Sequence, residues 1–181
     1  MNNMNYFLDT EFSKLPWEEG SQLISLGIVD EMGKSYYACL NDFDETDVSD
    51  FVKERVLLYL PDKSERKSSH EVAQDLVAFF GDTTPSHFWS VFPKAKHLES
   101  FGLPEDQFEY VLKTYADFDF QLLKRVMGDQ YPENWLQSGS NLTPFVDKLK
   151  EAGALPENKA THNALSDALW GREVRLKTLV S

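Results

Sequence analysis

Residues 5–12 read Asn5-Tyr6-Phe7-Leu8-Asp9-Thr10-Glu11-Phe12, an apolar run that ends on two acids. The run predicts a buried strand, and residues two apart on a strand point to the same face. Asp9 and Glu11 therefore project together from one rigid element, in the only Asp-x-Glu of the chain. Two carboxylates so placed repel each other unless a cation lies near, and they make a seat for a hard divalent ion. The plain alternative is a pair of solvated acids on an exposed face. The flanking Phe7-Leu8 and Phe12 argue against it, because such residues belong inside.

The neighbouring sequence extends this strand into a sheet. Leu23-Ile24-Ser25-Leu26-Gly27-Ile28-Val29 has the pattern of a buried strand, and Tyr36-Tyr37-Ala38-Cys39-Leu40 follows after the turn-like Asp30-Glu31-Met32-Gly33-Lys34. These three segments predict an antiparallel meander. A helical stretch from Asp47 to Leu60 stops at Pro61, and a charged loop runs to Ser69. Val72, Leu76, Phe79 and Phe80 recur at helical spacing and end at Gly81. Residues 82–108 show no readable period. Phe108 to Ala116 reads as a strand. Asp117 to Met127 reads as a helix with Phe118, Leu122, Leu123 and Val126 on one face and Gly128 behind it. Leu142 to Ala152 and Asn163 to Leu179 read as two further helices. Three strands followed by alternating helix and strand predict an α/β layer fold with a mixed sheet, in a single domain over residues 1–181.

A chain of 181 residues can bury a substantial core, and its 41% hydrophobic content suits a globular protein rather than a disordered one. Its single cysteine, Cys39, excludes an internal disulfide and a Cys-based zinc site, and a reducing compartment is expected. Met1-Asn2-Asn3-Met4-Asn5 lacks a basic region followed by an apolar one, so no signal peptide is expected, and no apolar run is long enough to span a membrane. The expected location is the cytoplasm. The net charge of −12 argues against a protein that grips a long polyanion through its phosphates. Any nucleic acid partner must be held locally, by metal ions and a few basic side chains. Short or single-stranded substrates fit that surface better than a duplex held along its length.

Two more clusters carry acids. In Tyr115-Ala116-Asp117-Phe118-Asp119, either acid can cap the following helix or complement its dipole. Asp117 is expected to take that role, which leaves Asp119 for a metal. In His162-Asn163-Ala164-Leu165-Ser166-Asp167, the histidine and the acid are five apart, about 140° around a continuous helix. They converge only if Asn163 caps the helix and His162 stays on the loop before it. The spacing alone is weak, because His70 and Asp75 repeat it. That copy reads as solvent-facing.

The combination, in this order, resembles the DEDDh branch of the ribonuclease H-like (DnaQ-like) 3'-5' exonucleases. That branch carries Asp-x-Glu on its first strand, a Phe-Asp pair opening a central helix, and His-x4-Asp near its end. The chain matches at Asp9, Glu11, Asp119, His162 and Asp167. In length, and in Phe51-Val52-Lys53-Glu54-Arg55-Val56-Leu57, it looks most like the small bacterial and phage 3'-5' exoribonucleases. One departure is Thr114-Tyr115, where many members have His-Asn. The resemblance implies a ribonuclease H-like sheet, three antiparallel strands and then parallel ones, flanked by helices.

It also implies hydrolysis of phosphodiester bonds from RNA 3' ends, single-stranded or overhanging. Asp9, Glu11, Asp119 and Asp167 would hold two Mg²⁺ or Mn²⁺ ions that activate a water and stabilise the leaving oxygen, with His162 as general base. A homodimer is implied by analogy. Phe12 either packs on a terminal base or faces the core, and Thr10 beside it is a second candidate for substrate contact. Trp17, and Lys94, Lys96 and His97 near Trp89 and Phe92, are weaker candidates for holding a single strand. A solvated loop over an apolar anchor is the other reading of that segment. A DNA-directed exonuclease and a small-nucleotide phosphodiesterase would use the same acids.

Overall fold

A computed structural model describes residues 2–158 and 162–180. Strands β1 (Asn2–Phe12), β2 (Leu23–Asp30) and β3 (Ser35–Cys39) form the expected antiparallel meander. Helix α1 (Asp50–Arg55) is shorter than its sequence signal and continues as a 3₁₀ turn over Leu57–Tyr59. Helix α2 (Ser69–Phe80) starts on a Ser68–Glu71 capping box.

Strand β4 (Thr83–Ser90) then pairs in parallel with β1. Helices α3 (Ala95–Ser100), α4 (Phe108–Thr114) and α5 (Phe118–Met127) follow. Strand β5 (Ser140–Asn141) extends the sheet beside β4, and helices α6 (Thr143–Glu151) and α7 (Ala164–Val180) complete the order. The sheet runs β3-β2-β1-β4-β5 with helices on both faces, the α/β mixed sheet that the sequence predicts.

Two segments differ from their sequence reading. Phe108 to Thr114 is the helix α4, not a strand. Its aromatic and β-branched residues favour strands intrinsically, yet Val111 is the buried residue, with Phe108 and Leu112 half-buried at helical spacing around it. Residues 83–90, which lack a readable period, form β4. Pro85 lies opposite Met4, and the register slips between Met4 and Asn5, where Asn5 pairs with His87. The bulge accommodates a proline that a regular ladder would reject.

The alternation of β1 divides the core. Tyr6 and Leu8 face α2 and α5 with Ile24, Leu76, Phe80, Phe88 and Leu122. Phe7 faces the other way, with Val29, Leu142, Ala168 and Val174 under α6 and α7. Helix α7 lies close to the sheet because its buried residues, Ala164, Ala168, Gly171 and Val174, are small and share one face. Arg172 ties it to the β2–β3 turn through the Glu31 carbonyl, at 2.8 and 3.1 Å.

Candidate active site

Strand β1 runs past the end of β4. Their pairing stops at Phe7–Trp89, so the stretch beyond Phe7 has β2 on one side and no strand on the other. Asp9 and Glu11 sit on this overhang, on the α7 face. Thr10 points to the opposite face. It is 4% exposed, and its hydroxyl donates to Asp119 Oδ1 at 2.6 Å while its N–H donates to the same oxygen at 3.2 Å. Asp119, in the first turn of α5, thus satisfies a backbone donor that the missing strand would have taken. This places Thr10 as the anchor of Asp119, with its hydroxyl turned inward. The Ser90 hydroxyl, the one buried side-chain oxygen without a hydrogen-bond partner among the described residues, stands close enough to lower the Asp119 carboxyl.

Asp167 is brought in by a glycine. Gly27 pairs directly with Asp9. A Cβ on Gly27 would stand 2.2 Å from the Ala164 carbonyl carbon and 2.3 Å from the Leu165 nitrogen. The first turn of α7 therefore rests on bare strand backbone. One turn on, Asp167 lies over Asp9. One carboxylate oxygen from each of Asp9, Glu11 and Asp167 falls within 4.8 Å of the others. Asp119 stands outside this triangle.

In the turn before α7, Asn163 starts the helix and His162 lies outside it, as the sequence reading expects, while the group of ligand atoms within 4.8 Å of one another contains the three acids and not His162. Asn163 Oδ1 accepts the Ser166 N–H at 3.0 Å, which starts the helix. His162 precedes it with φ at 65°, in the left-handed region, and is exposed. Its main-chain N–H donates to Asp167 Oδ2 at 3.0 Å, and its ring meets the Phe51 ring edge to face with centroids 5.0 Å apart. The Asn158 side-chain amide donates to Asp167 Oδ1. Both Asp167 oxygens are thus oriented, one by Asn158 and one by His162.

The charge is uncompensated by any cationic side chain among the described residues. Among the described residues no ion pair involves Asp9, Glu11, Asp119 or Asp167. Asp9, Glu11 and Asp119 keep part of their surface accessible, yet burial is the largest cause of the rise in their carboxyl pKa values. Burial and then Asp119, Asp167 and Glu11 hold the Asp9 carboxyl well above its ordinary range. Burial and then Asp167 and Asp119 push Glu11 up to about 8. Burial raises Asp119 to about 6 against the opposing hydrogen bonds from Thr10. Clustered oxygen donors and mutual repulsion fit a hard divalent ion, and Asp9, Glu11 and Asp167 are the residues that would hold it.

The other candidates fall elsewhere. Asp117 occupies the N-cap position of α5 without making a side-chain cap. Its carboxylate instead accepts from the Gly139 N–H at 2.9 Å and from Gln121 at 2.8 Å, pinning the loop before β5. Phe12 is half-buried and packs edge to face on Phe118 at 5.2 Å, just past a bulge at Glu11/Phe12. Trp17 lies 6.2 Å from Phe101. Lys94 pairs with Asp147, and Leu98 buries α3, so the basic segment sits over an apolar anchor. The His70–Asp75 repeat does not converge. His70 is exposed and bonds Gln74, while Asp75 accepts from Tyr36 and Lys67. A cavity of about 160 Å³ opens beside Asp9 and Asp167, between Trp89, Leu142 and Trp170.

Sequence reasoning missed Gly27, Thr10 as the Asp119 anchor, and Asn158. Gly27 interrupts a strand of large apolar residues, which is a signal of close backbone approach. Nothing in the sequence marks Asn158.

No family model matches the chain. Over 80 residues it is 38% identical to the 3'-5' exoribonuclease Rv2179c of Mycobacterium tuberculosis strain H37Rv, and equally to the 3'-5' exoribonuclease MT2234.1 of strain CDC 1551. Each match takes in 42% of this chain and 45% of the relative, so the chain spans less than half the length of the curated relatives it matches. The crystal structure of cell-death related nuclease 4 (CRN-4) superposes on 99% of this chain and 64% of its own, with a TM-score of 0.53 and 12% identity. That likeness shows a shared fold. The exonuclease resemblance read from the motifs thus agrees with the names of the sequence relatives and with the sheet architecture.

Proposed function

We propose that this chain is a metal-dependent 3'-5' exonuclease of the DEDDh branch, one domain over residues 1–181, acting on single-stranded or overhanging RNA 3' ends. The observation that carries this reading is the triangle of Asp9, Glu11 and Asp167, each offering a carboxylate oxygen to one place, on a fold shared with a nuclease. Asp119, held by Thr10 on the other side of β1, would be the fourth carboxylate to hold metal. Mg²⁺ or Mn²⁺, two ions per site, would supply charge neutralisation, a more acidic water and a stabilised leaving oxygen.

The chain's own residues supply the rest. His162 takes the proton of the attacking water. The water oxygen bonds to the scissile phosphorus, and the bond from phosphorus to the 3'-oxygen of the next nucleotide breaks. Thr10 fixes Asp119, and Asn158 and the His162 N–H fix Asp167, so the acids do not reorganise as charge develops. The acidic surface supports a short, locally held strand over a long duplex. Buried Cys39 supports a cytoplasmic, reducing location. Among the described residues no helix is long and apolar enough to cross a membrane.

The test is incubation of 5'-labelled RNA and DNA, single-stranded and with 3' overhangs, with Mg²⁺ or Mn²⁺. A ladder shortening from the 3' end on RNA, lost in Asp9→Ala and in His162→Ala, is the expected result. Equal or faster cutting of DNA would replace the RNA reading. Hydrolysis of a nitrophenyl thymidine phosphate without any oligonucleotide cleavage would point to a small-nucleotide phosphodiesterase. Internal cuts, or activity that survives Asp9→Ala, would overturn the mechanism.

A further inference from the structure

We propose that Phe51 is a positioning residue for His162, and that its ring sets the orientation from which the imidazole works. The proposal rests on the reading of His162 as the proton acceptor. Phe51 stands in the first turn of α1 and is 54% exposed. It does not anchor its helix, because the neighbouring Val52 and Val56 do that in the core. The aromatic contact of the Phe51 ring is with His162, edge to face, with the ring planes at 83°.

His162 needs such a contact. It is exposed, and its backbone is fixed by a left-handed φ and by the N–H bond to Asp167. Those restraints place its Cα and leave the imidazole free among staggered rotamers. The Phe51 edge-to-face contact selects among them.

Phe51 is itself registered to the metal strand. The Ser49 N–H donates to the Ser13 carbonyl at 2.9 Å, and the Ser49 hydroxyl accepts the Val52 N–H at 3.3 Å to cap α1. Ser13 follows β1 directly and is fully buried. A short chain of contacts thus leads from the end of β1 through Ser13, Ser49 and Phe51 to His162, and returns through Asp167. His162 is thus held from both sides, its main chain by Asp167 and its ring by Phe51. An aromatic pair of this kind biases a rotamer population by roughly 2- to 10-fold.

The experiment joins kinetics to a readout that needs no activity. In ¹H–¹³C spectra of the full chain, the His162 ring resonance is identified by its loss in His162→Ala. Phe51→Ala should shift that resonance by removing the ring current, and Phe51→Tyr and Phe51→Trp should largely preserve it. In single-turnover cleavage of a 5'-labelled oligonucleotide at saturating Mn²⁺, Phe51→Ala should lower kcat roughly 2- to 10-fold with KM and Mn²⁺ affinity unchanged. Phe51→Tyr should restore the rate, and Phe51→Ala should add nothing in a His162→Ala background.

An unmoved His162 resonance in Phe51→Ala overturns the proposal. So does a raised KM with kcat intact, which would make Phe51 a substrate contact, or a full effect that persists without His162. If the wild-type chain cuts no oligonucleotide, the exonuclease reading fails by itself, and the resonance still decides whether Phe51 holds the ring.

Discussion

Replacing Glu11 with glutamine should stabilise the metal-free protein at alkaline pH and leave it almost unchanged in mild acid. Glu11 titrates at about 8 in the folded chain, raised by burial and by Asp167 and Asp119. In the unfolded chain it returns to the ordinary carboxylate range, near ~4.3. A carboxyl whose folded pKa is raised contributes stability in full below its unfolded pKa. It loses that contribution as pH climbs through the folded value. The slope is ~1.4 kcal/mol per pH unit for each proton that only the folded state keeps. Between pH 5.5 and 8, Glu11 alone thus removes roughly 3 kcal/mol from a total of about 5–15 kcal/mol. Asp119, at about 6, and Asp9 act in the same direction. Asp75, lowered by its hydrogen bond to Lys67, and Asp147, lowered by Lys94, act in the opposite sense but only in the acid range below the ordinary carboxylate pKa.

The assay is a melting series in EDTA, with and without excess Mn²⁺. Wild-type Tm should fall by roughly 6–12 °C from pH 5.5 to 8.5 without metal, at about 2–4 °C per kcal/mol for a chain of this size. Mn²⁺ should restore it at pH 8.5. Glu11→Gln should show a flatter profile, melt above wild type at pH 8.5 in EDTA, and gain less from Mn²⁺. A wild-type Tm that stays level or climbs over that range, or a Glu11→Gln variant that melts below wild type at pH 8.5, refutes the reasoning.

Three further outcomes follow from the same geometry. Mn²⁺ affinity should strengthen with pH up to about 8 and binding should release protons, read by calorimetry in buffers of different ionisation enthalpy, because Glu11 and Asp119 must ionise to bind. Gly27→Ala should destabilise by about 2 kcal/mol or more in urea and weaken Mn²⁺ binding together, since the added carbon meets α7 backbone at 2.2 Å; intact metal affinity would show that α7 does not rest there. Thr10→Val should cost about 1–3 kcal/mol by leaving Asp119 short of its hydroxyl donor, while Thr10→Ser stays near wild type; a neutral Thr10→Val would remove Thr10 from the site.

The parts legible in the sequence are those with a local cause. The meander follows from apolar runs and from the turn at Gly33. The paired projection of Asp9 and Glu11 follows from the two-residue period of a strand. The placement of His162 outside α7 follows from the capping chemistry of Asn163. The parts that were not legible depend on partners distant in sequence. β4 is hidden because Pro85 and His87 break its period, and only the bulge against β1 accommodates them. α4 is hidden because its residues suit a strand until Val111 is buried at helical spacing. Asp117 looks like a cap, and its bond to Gly139 spans 22 positions. Thr10 looks like a spacer between two acids, and its role lies in a residue 109 positions away.

The contact of Gly27 with Ala164 has a consequence for the order of assembly during synthesis. Strand β1 and its acids are made before every other described element, and α7 after all of them. A nascent chain that has paired its strands but not yet released α7 carries Asp9 and Glu11 without their third acid and without the histidine loop. Docking of α7 has one register, because only at Gly27 does bare backbone admit Ala164 and Leu165 this closely. The three-acid cluster therefore forms only when α7 docks, however far the sheet has already assembled.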